Sequence, residues 1–152
     1  MEYDAGAPLR PRKPTISMIC SESFGSGHIN DTYCLTCEKD DRQLHYILQR
    51  INHQVFKNPP AMMENIRRVT NHIRRKLQER QDQLVSRQLL VIDTKDGDDF
   101  FRDDSGNYWR VYNRIENALT YDTNLFYCRS VPKSVLFGRF AAFLTDLPGP
   151  PL

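Results

Sequence analysis

A single long helical segment between two strand-rich segments is the feature that most constrains the fold of this chain. The stretch NPPAMMENIRRVTNHIRRKLQERQ has apolar residues at helical spacing. Asn58 followed by Pro59 is typical of a helix start, because asparagine caps the first turn and proline suits the first helical position. The predicted apolar stripe consists of Met63, Ile66, Val69, Ile73 and Leu77.

Strand-forming residues dominate on both sides of this helix. Before it, TISMICSESF, TYCLTCEKD and LHYILQRIN predict three consecutive strands with short connections, as in an antiparallel meander. After it, LLVID, FFR and YWRVYNRIE predict two or three more, separated by turns at KDGDD and DDSGN. We expect the last strand to be long and buried, with Trp109, Val111 and Ile115 on one face. A second helix should begin near Pro132. This order predicts an α+β fold with an antiparallel sheet of about five strands and one packed helix.

Composition narrows the classes of function. The 152 residues are 39% hydrophobic and 26% charged, which is typical of one globular domain. A net charge of +2 is too small to indicate a nucleic-acid partner. No apolar run approaches the roughly 20 residues of a membrane helix, and MEYDAGAPLRPRKP lacks the apolar core of a secretory signal. We therefore expect no membrane partner, a cytoplasmic location, and free thiols at the four cysteines.

A glycine-containing loop lies between the first two predicted strands. In FGSGHINDTY, Gly25 and Gly27 are separated by one residue. Glycines let a backbone come close to a ligand and leave N–H groups free for phosphate oxygens. Hairpin turns use glycine as well, so the loop alone is weak evidence for phosphate binding.

Several other motifs occur together with this loop. GHINDTY, YILQRIN, VFKNP, MMENI, VTNHIRRKL, YWRVYN and TYD together resemble the N-acetylhexosamine 1-kinase-like branch of the aminoglycoside and choline kinase-like phosphotransferases. Each motif is short, but the set is specific, and the resemblance runs from about Ile16 to about Leu147. In this branch an asparagine, here Asn30, commonly stands where a protein kinase has a third glycine.

The resemblance implies the small lobe of a kinase-like fold. Residues 1–14 would be a flexible tail, residues 15–117 the ATP-binding lobe, and residues 118–152 a connector with the first helix of a truncated C-terminal lobe. ATP, with Mg²⁺, would transfer its γ-phosphoryl group to an amino sugar, such as an N-acetylhexosamine at its anomeric hydroxyl. The loop would close over the phosphates, the third strand would bring a cation to them, and the helix would supply an acid that orients the cation.

Nucleotide-binding residues follow from the same resemblance. The phosphate-facing loop would be formed by Gly25, Ser26, Gly27 and His28, followed by Asn30. Adenine would dock after YWRVYN, beside the backbone of Arg114, Ile115 and Glu116.

The position of the cation is left open by the sequence. In this superfamily the motif is usually an apolar residue followed by Lys or Arg, but ILQR places Gln49 there and Arg50 next to it. Neighbouring strand residues point to opposite faces, so register favours Gln49 and charge favours Arg50. Glu64 is the predicted orienting acid, and the alternative for it is a solvated carboxylate near the start of the helix.

The catalytic and metal-binding acids of such kinases belong to the second lobe. Their signatures, an H-G-D-type motif and a D-x-D-type motif, do not occur in the sequence. We therefore expect no catalytic residue and no magnesium ligand within these 152 residues, and no phosphoryl transfer by them alone. The aspartates at positions 93, 96, 98, 99, 103 and 104 are read as turn residues.

Three other interpretations compete with the kinase reading. Cys34 and Cys37 form a C-x-x-C pair, but residues three apart on a strand face opposite sides and cannot converge on zinc. A truncated, inactive remnant is a second alternative. A nucleic-acid-binding helix is the third, based on a basic surface formed by Arg67, Arg68, Arg74, Arg75, Lys76 and Arg80.

Overall fold

The computed structural model describes residues 16–25, 29–116 and 133–149. Its strands are β1 (Ser17–Ser23), β2 (Asp31–Lys39), β3 (Arg42–Ile51), β4 (Val91–Ile92), β5 (Phe101–Arg102) and β6 (Tyr108–Asn113). Its α-helices are α1 (Pro59–Glu79) and α2 (Lys133–Leu144), and a 3₁₀ helix spans Gln83–Arg87. The fold is therefore α+β, as the sequence predicts, with one main helix. The predicted tail, residues 1–14, and most of the predicted connector lie outside the described residues.

All strand pairs in the six-stranded sheet are antiparallel. The strand order is β1-β2-β3-β6-β4. Strand β5 also pairs with β6, at Tyr108 and Trp109, whereas β4 pairs with β6 at Val111 and Tyr112. The third strand is consequently central, with β2 on one side and β6 on the other. Every residue of β1 is exposed, so β1 is an edge strand that contributes little to the core.

A tight turn fixes the register of β2 against β3. Lys39 pairs with Arg42, and the two residues between them, Asp40 and Asp41, have φ angles of 51° and 60°. Positive φ at both central positions is typical of the type I′ hairpin turn, which matches the twist of the strands that it joins. The sequence predicted a short connection here, and β3 begins earlier than expected, at Arg42.

Helix α1 starts as predicted. The Asn58 side chain accepts a hydrogen bond of 3.2 Å from the Ala61 backbone N–H, and Pro59 occupies the first helical position. Met63 and Leu77 of the apolar stripe are buried. The stripe residues between them are Ile66, Val69 and Ile73. Together with Leu89 and Phe140, they border a cavity of about 500 Å³.

The second half of the sheet is less regular than the sequence predicts. The LLVID segment yields only Val91–Ile92 as strand, and the 3₁₀ helix before it was not predicted. Strand β6 ends at Asn113, so Ile115 lies beyond it, and the residues of β6 are half-buried rather than fully buried. The turns at KDGDD and DDSGN are confirmed, since Gly97 and Gly106 have φ angles of 90° and 83°.

Helix α2 is anchored to α1 by polar contacts. The buried His72 ring contacts the Phe143 carbonyl oxygen at 2.9 Å and an Asp146 carboxylate oxygen at 3.1 Å through Nε2. Lys76 also pairs with Asp146, and its ammonium group lowers the pKa of that carboxyl. A buried polar side chain needs hydrogen-bond partners, and the His72 ring finds them at the end of α2.

Candidate functional site

The glycine loop connects β1 to β2. The Phe24 backbone N–H donates to the Thr32 carbonyl at 2.9 Å, and Gly25 follows with a φ of 82°. A side chain at Gly25 would meet no atom of the described residues within 4 Å, and the positive φ angle itself favours glycine there. Ser26, Gly27 and His28 lie outside the described residues.

Asn30 fastens the other end of this loop to the central strand. Its side-chain oxygen accepts a hydrogen bond of 2.8 Å from the backbone N–H of Asn52, just after β3. The residue that replaces a third glycine in the predicted motif therefore has a structural function, since it fixes where the chain enters β2.

Gln49 lies at the centre of a polar row across three strands. Thr32 of β2 pairs with Gln49 of β3, which pairs with Arg110 of β6, so all three side chains share one face of the sheet. The Gln49 amide nitrogen donates to the Thr32 hydroxyl at 2.9 Å. The Gln49 amide oxygen accepts from Arg110 Nε at 3.0 Å and from Nη2 at 2.5 Å.

Arg110 supplies a positive charge beside Gln49. The guanidinium is half-buried, with Nη1 3.7 Å from the Met63 sulfur of α1 and the Tyr112 ring 5.7 Å away. Burial lowers the pKa of Arg110 and raises the pKa of Tyr112. Across the described ranges, no carboxylate lies within ion-pair distance of this guanidinium.

Arg50 lies on the opposite face. It pairs across the strands with Asp31, whose carboxylate accepts from Arg50 Nε at 2.6 Å, and both side chains are nearly half exposed. The register argument from the sequence is therefore confirmed: Gln49 and Arg50 point away from each other. Arg50 borders a polar cavity of about 310 Å³ together with Asn52, His53 and Asn107.

Glu64 differs from its predicted orientation. Its side chain is exposed and forms no ion pair or hydrogen bond with Gln49 or Arg50. Helix geometry gives the reason, because burial of the preceding Met63 turns the next residue about 100° away from the sheet. The residue of α1 that contacts the polar row is Met63.

The segment predicted to hold adenine begins where β6 ends. The Arg114 backbone N–H donates to the His45 carbonyl at 3.1 Å, and its guanidinium lies 5.5 Å from the Phe24 ring and 3.7 Å from Cys34 Sγ. Ile115 is half-buried and Glu116 is exposed. The structure thus brings the end of β6 and the start of the glycine loop to the same side of the sheet.

Sequence reasoning missed Arg110. The signal was present in YWRVYN, where an arginine alternates with Trp109 and Val111 and so faces the side opposite to that apolar pair. A charged residue inside a central, half-buried strand is uncommon and marks a functional candidate. What the sequence could not provide is the pairing of β6 with β3, which places Arg110 beside Gln49.

The basic residues of α1 are mostly engaged within the protein. Arg67 pairs with Asp93 and Asp99, Lys76 with Asp146, and Arg75 with Glu79. Arg68 donates to the Pro148 carbonyl, and Arg80 lies 5.0 Å from the Phe143 ring. Arg74, Arg75 and Arg80 are exposed to solvent.

Cysteines and acids do not assemble into a metal site in the part of the chain that the structure describes. Cys34 and Cys37 lie on β2 and face opposite sides, as predicted, and burial raises the pKa of the Cys37 thiol. Asp103 accepts hydrogen bonds from Trp109 Nε1 at 2.8 Å and from the Asn107 backbone N–H at 2.8 Å, which supports its reading as a turn residue.

No protein-family model matches this sequence. Neither α1 nor α2 is long and apolar enough to cross a membrane, and they are the α-helices of the described segments.

Proposed function

We propose that this chain is the ATP-binding small lobe of a small-molecule kinase of the aminoglycoside phosphotransferase type, with an amino sugar as the acceptor. The observation that carries the proposal is the position of Gln49. It lies on the central third strand, on the face that α1 covers through Met63, in a row that begins at Thr32, whose backbone carbonyl accepts a hydrogen bond from Phe24 just before Gly25.

The arrangement of elements supports a nucleotide across this face. A kinase small lobe requires a glycine loop over the phosphates, a third strand beneath them and a helix beside that strand. Here the first two elements are hydrogen-bonded neighbours, because Phe24 and Thr32 join the loop to β2, and β2 pairs with β3 along its whole length. Asn30 then holds the loop to the end of β3.

Adenine would bind beside Ile115 and Glu116. The backbone N–H and C=O groups of these two residues would bind the edge of the base. Cys34, which is half-buried on the Gln49 face of β2, would lie near the ring. Cofactor pockets are usually lined by apolar side chains, with a few polar groups such as backbone N–H and C=O that fix the orientation of the ligand.

The described residues do not provide a site for Mg²⁺. Asp93 and Asp99 are paired with Arg67, and Asp103 is held by Trp109 and Asn107. Magnesium requires carboxylate oxygens that converge on one octahedral site. We therefore assign neither metal binding nor phosphoryl transfer to the residues described, and the amino-sugar acceptor would bind to a second lobe.

Calorimetric titration of the full chain with ATP and with adenosine tests this proposal. We expect both to bind, and we expect Gly25→Val to weaken ATP binding, because a β-branched residue is strained at a φ of 82°. Gly97→Val is the matched control, since Gly97 has a φ of 90° in a remote turn and also has open space around it. Absence of binding by the unmodified chain, or equal losses in both variants, would contradict the proposal.

A further inference from the structure

We propose that Arg110 of β6 is the cation that binds the nucleotide phosphates, and that Gln49 is its positioning residue. This inference rests on the proposed function, which places phosphates above the polar row. The third strand carries an uncharged amide where a kinase-like lobe has a cation. The charge comes instead from the neighbouring strand, and the register brings it to the same place.

Distances locate the charge. Arg110 Nε and Nη2 lie 3.0 Å and 2.5 Å from the Gln49 side-chain oxygen, so the guanidinium lies directly beside the third-strand residue. The charge therefore lies next to the β3 position at which the resemblance leads one to expect a lysine or arginine. Its planar fork of N–H donors suits phosphate oxygens.

The partners of Arg110 leave it able to bind an anion. Its contacts among the described residues are an amide oxygen, a thioether sulfur and an aromatic ring, none of which carries a negative charge. Burying a guanidinium beside neutral groups is costly, and an anionic ligand would offset that cost. Arg50 and Arg67, by contrast, already have carboxylate partners.

Thr32 explains why Gln49 is suited to its position. The Gln49 amide nitrogen donates to the Thr32 hydroxyl at 2.9 Å, which turns the amide oxygen toward Arg110. A lysine at position 49 would repel the guanidinium, whereas a glutamate would neutralise it. Glutamine holds the arginine in place and preserves its full charge for a ligand.

Two variants of the full chain test the inference, with MgATP and adenosine as the probes in calorimetric titrations. Arg110→Met removes the charge. Gln49→Glu keeps the arginine but gives it a carboxylate partner, so the sheet should remain folded while the charge is neutralised. In both variants we expect ATP affinity to fall by about 10- to 100-fold, the effect of losing a charge-assisted hydrogen bond. Adenosine affinity should change by less than about twofold, because adenosine has no phosphate.

Arg87→Gln is the matched control for the change in net charge. Arg87 is exposed at the end of the 3₁₀ helix, and we expect its variant to bind ATP as the unmodified chain does. Unchanged ATP affinity in Arg110→Met and Gln49→Glu would overturn the role of Arg110 and leave the nucleotide-binding proposal standing. A parallel loss of ATP and adenosine would also overturn it, since it would indicate a structural role. Failure of the unmodified chain to bind either probe would overturn both proposals.

Discussion

Arg110 and Arg50 lie on adjacent strands of one sheet, yet they differ in the face they occupy, in burial and in partner. Arg50 is exposed and pairs with the Asp31 carboxylate in solvent. Arg110 is half-buried and contacts an amide, a thioether and an aromatic ring. The first arrangement completes a surface ion pair. The second keeps a positive charge at the centre of the fold without a negative partner among the described residues.

The difference shows how strand register separates two chemically similar residues. One position along β3 changes the side chain from Gln49, which faces α1, to Arg50, which faces away. A cation predicted from residue type alone would be assigned to Arg50. Arg110, which β6 contributes, is the cation that contacts Gln49 on the face covered by α1.

Replacing Gln49 should produce the largest loss of stability. Gln49→Met preserves side-chain volume but removes the hydrogen-bond acceptor of the Arg110 guanidinium, leaving a half-buried charge without it. We expect the free energy of unfolding to fall by about 2–3 kcal/mol, measured by urea denaturation. We expect Thr32→Val to lower the free energy of unfolding by less, because it removes only the hydroxyl that orients the Gln49 amide. If Gln49→Met lowers the free energy of unfolding as little as we expect for Arg50→Met, the contacts of the two arginines contribute equally to stability, and the contrast between the two faces is contradicted.

Asn30→Ala should have the next largest effect. The variant leaves the backbone N–H of Asn52 without its 2.8 Å acceptor, at the junction between the glycine loop and β3. We expect a loss of about 1 kcal/mol in unfolding free energy. Asn30→Asp, which keeps a side-chain oxygen, should lose less, and equal losses in the two variants would contradict the assigned hydrogen bond.

Asp103 should affect stability mainly in acid. Its hydrogen bonds from Trp109 and Asn107 lower the pKa of the carboxyl from 3.8 to about 2. A pKa below the ordinary value means that the folded state favours the ionised form, so this contribution is present above about pH 4 and is lost as the pH falls toward 2. Thermal melting from pH 6 to pH 2 should show a flatter acid limb for Asp103→Asn than for the unmodified chain. Parallel pH profiles would contradict the assignment.

Arg50→Met should have the smallest effect. An exposed ion pair contributes little because solvent screens it, so we expect less than about 1 kcal/mol of stability to be lost. Urea denaturation at low and high salt checks this, since the small contribution should shrink further as salt is added. A loss comparable to that of Gln49→Met would contradict the contrast between the two faces.

The sequence predicted the parts of the fold that depend on local patterns. The Asn58 cap, the Pro59 start of α1, the strand or helix type of the predicted elements and the opposite orientations of Gln49 and Arg50 all follow from spacing and residue type. LLVID was predicted as a strand, but the small extent of β4 was not, because an edge pairing of two residues leaves almost no periodic signal. The 3₁₀ helix was not predicted.

The candidate site was predictable only in part. Gln49 and Arg50 could be placed on opposite faces, because that depends only on alternation within one strand. Arg110 could not be placed beside Gln49, because that contact joins residues far apart in sequence and requires the register of β6 on β3. Glu64 was assigned to the sheet from its proximity to Met63, but neighbours on a helix diverge by about 100°.

Hydrogen–deuterium exchange of the full chain, with and without MgATP, tests the central claim most directly because it locates the bound nucleotide. The account predicts slower exchange in the segment that joins β1 and β2 and in residues 114–116, with no change around the cavity that Ile66 and Phe140 border. Unchanged exchange at saturating MgATP, or protection confined to that cavity, would contradict a nucleotide site on the Gln49 face of the sheet.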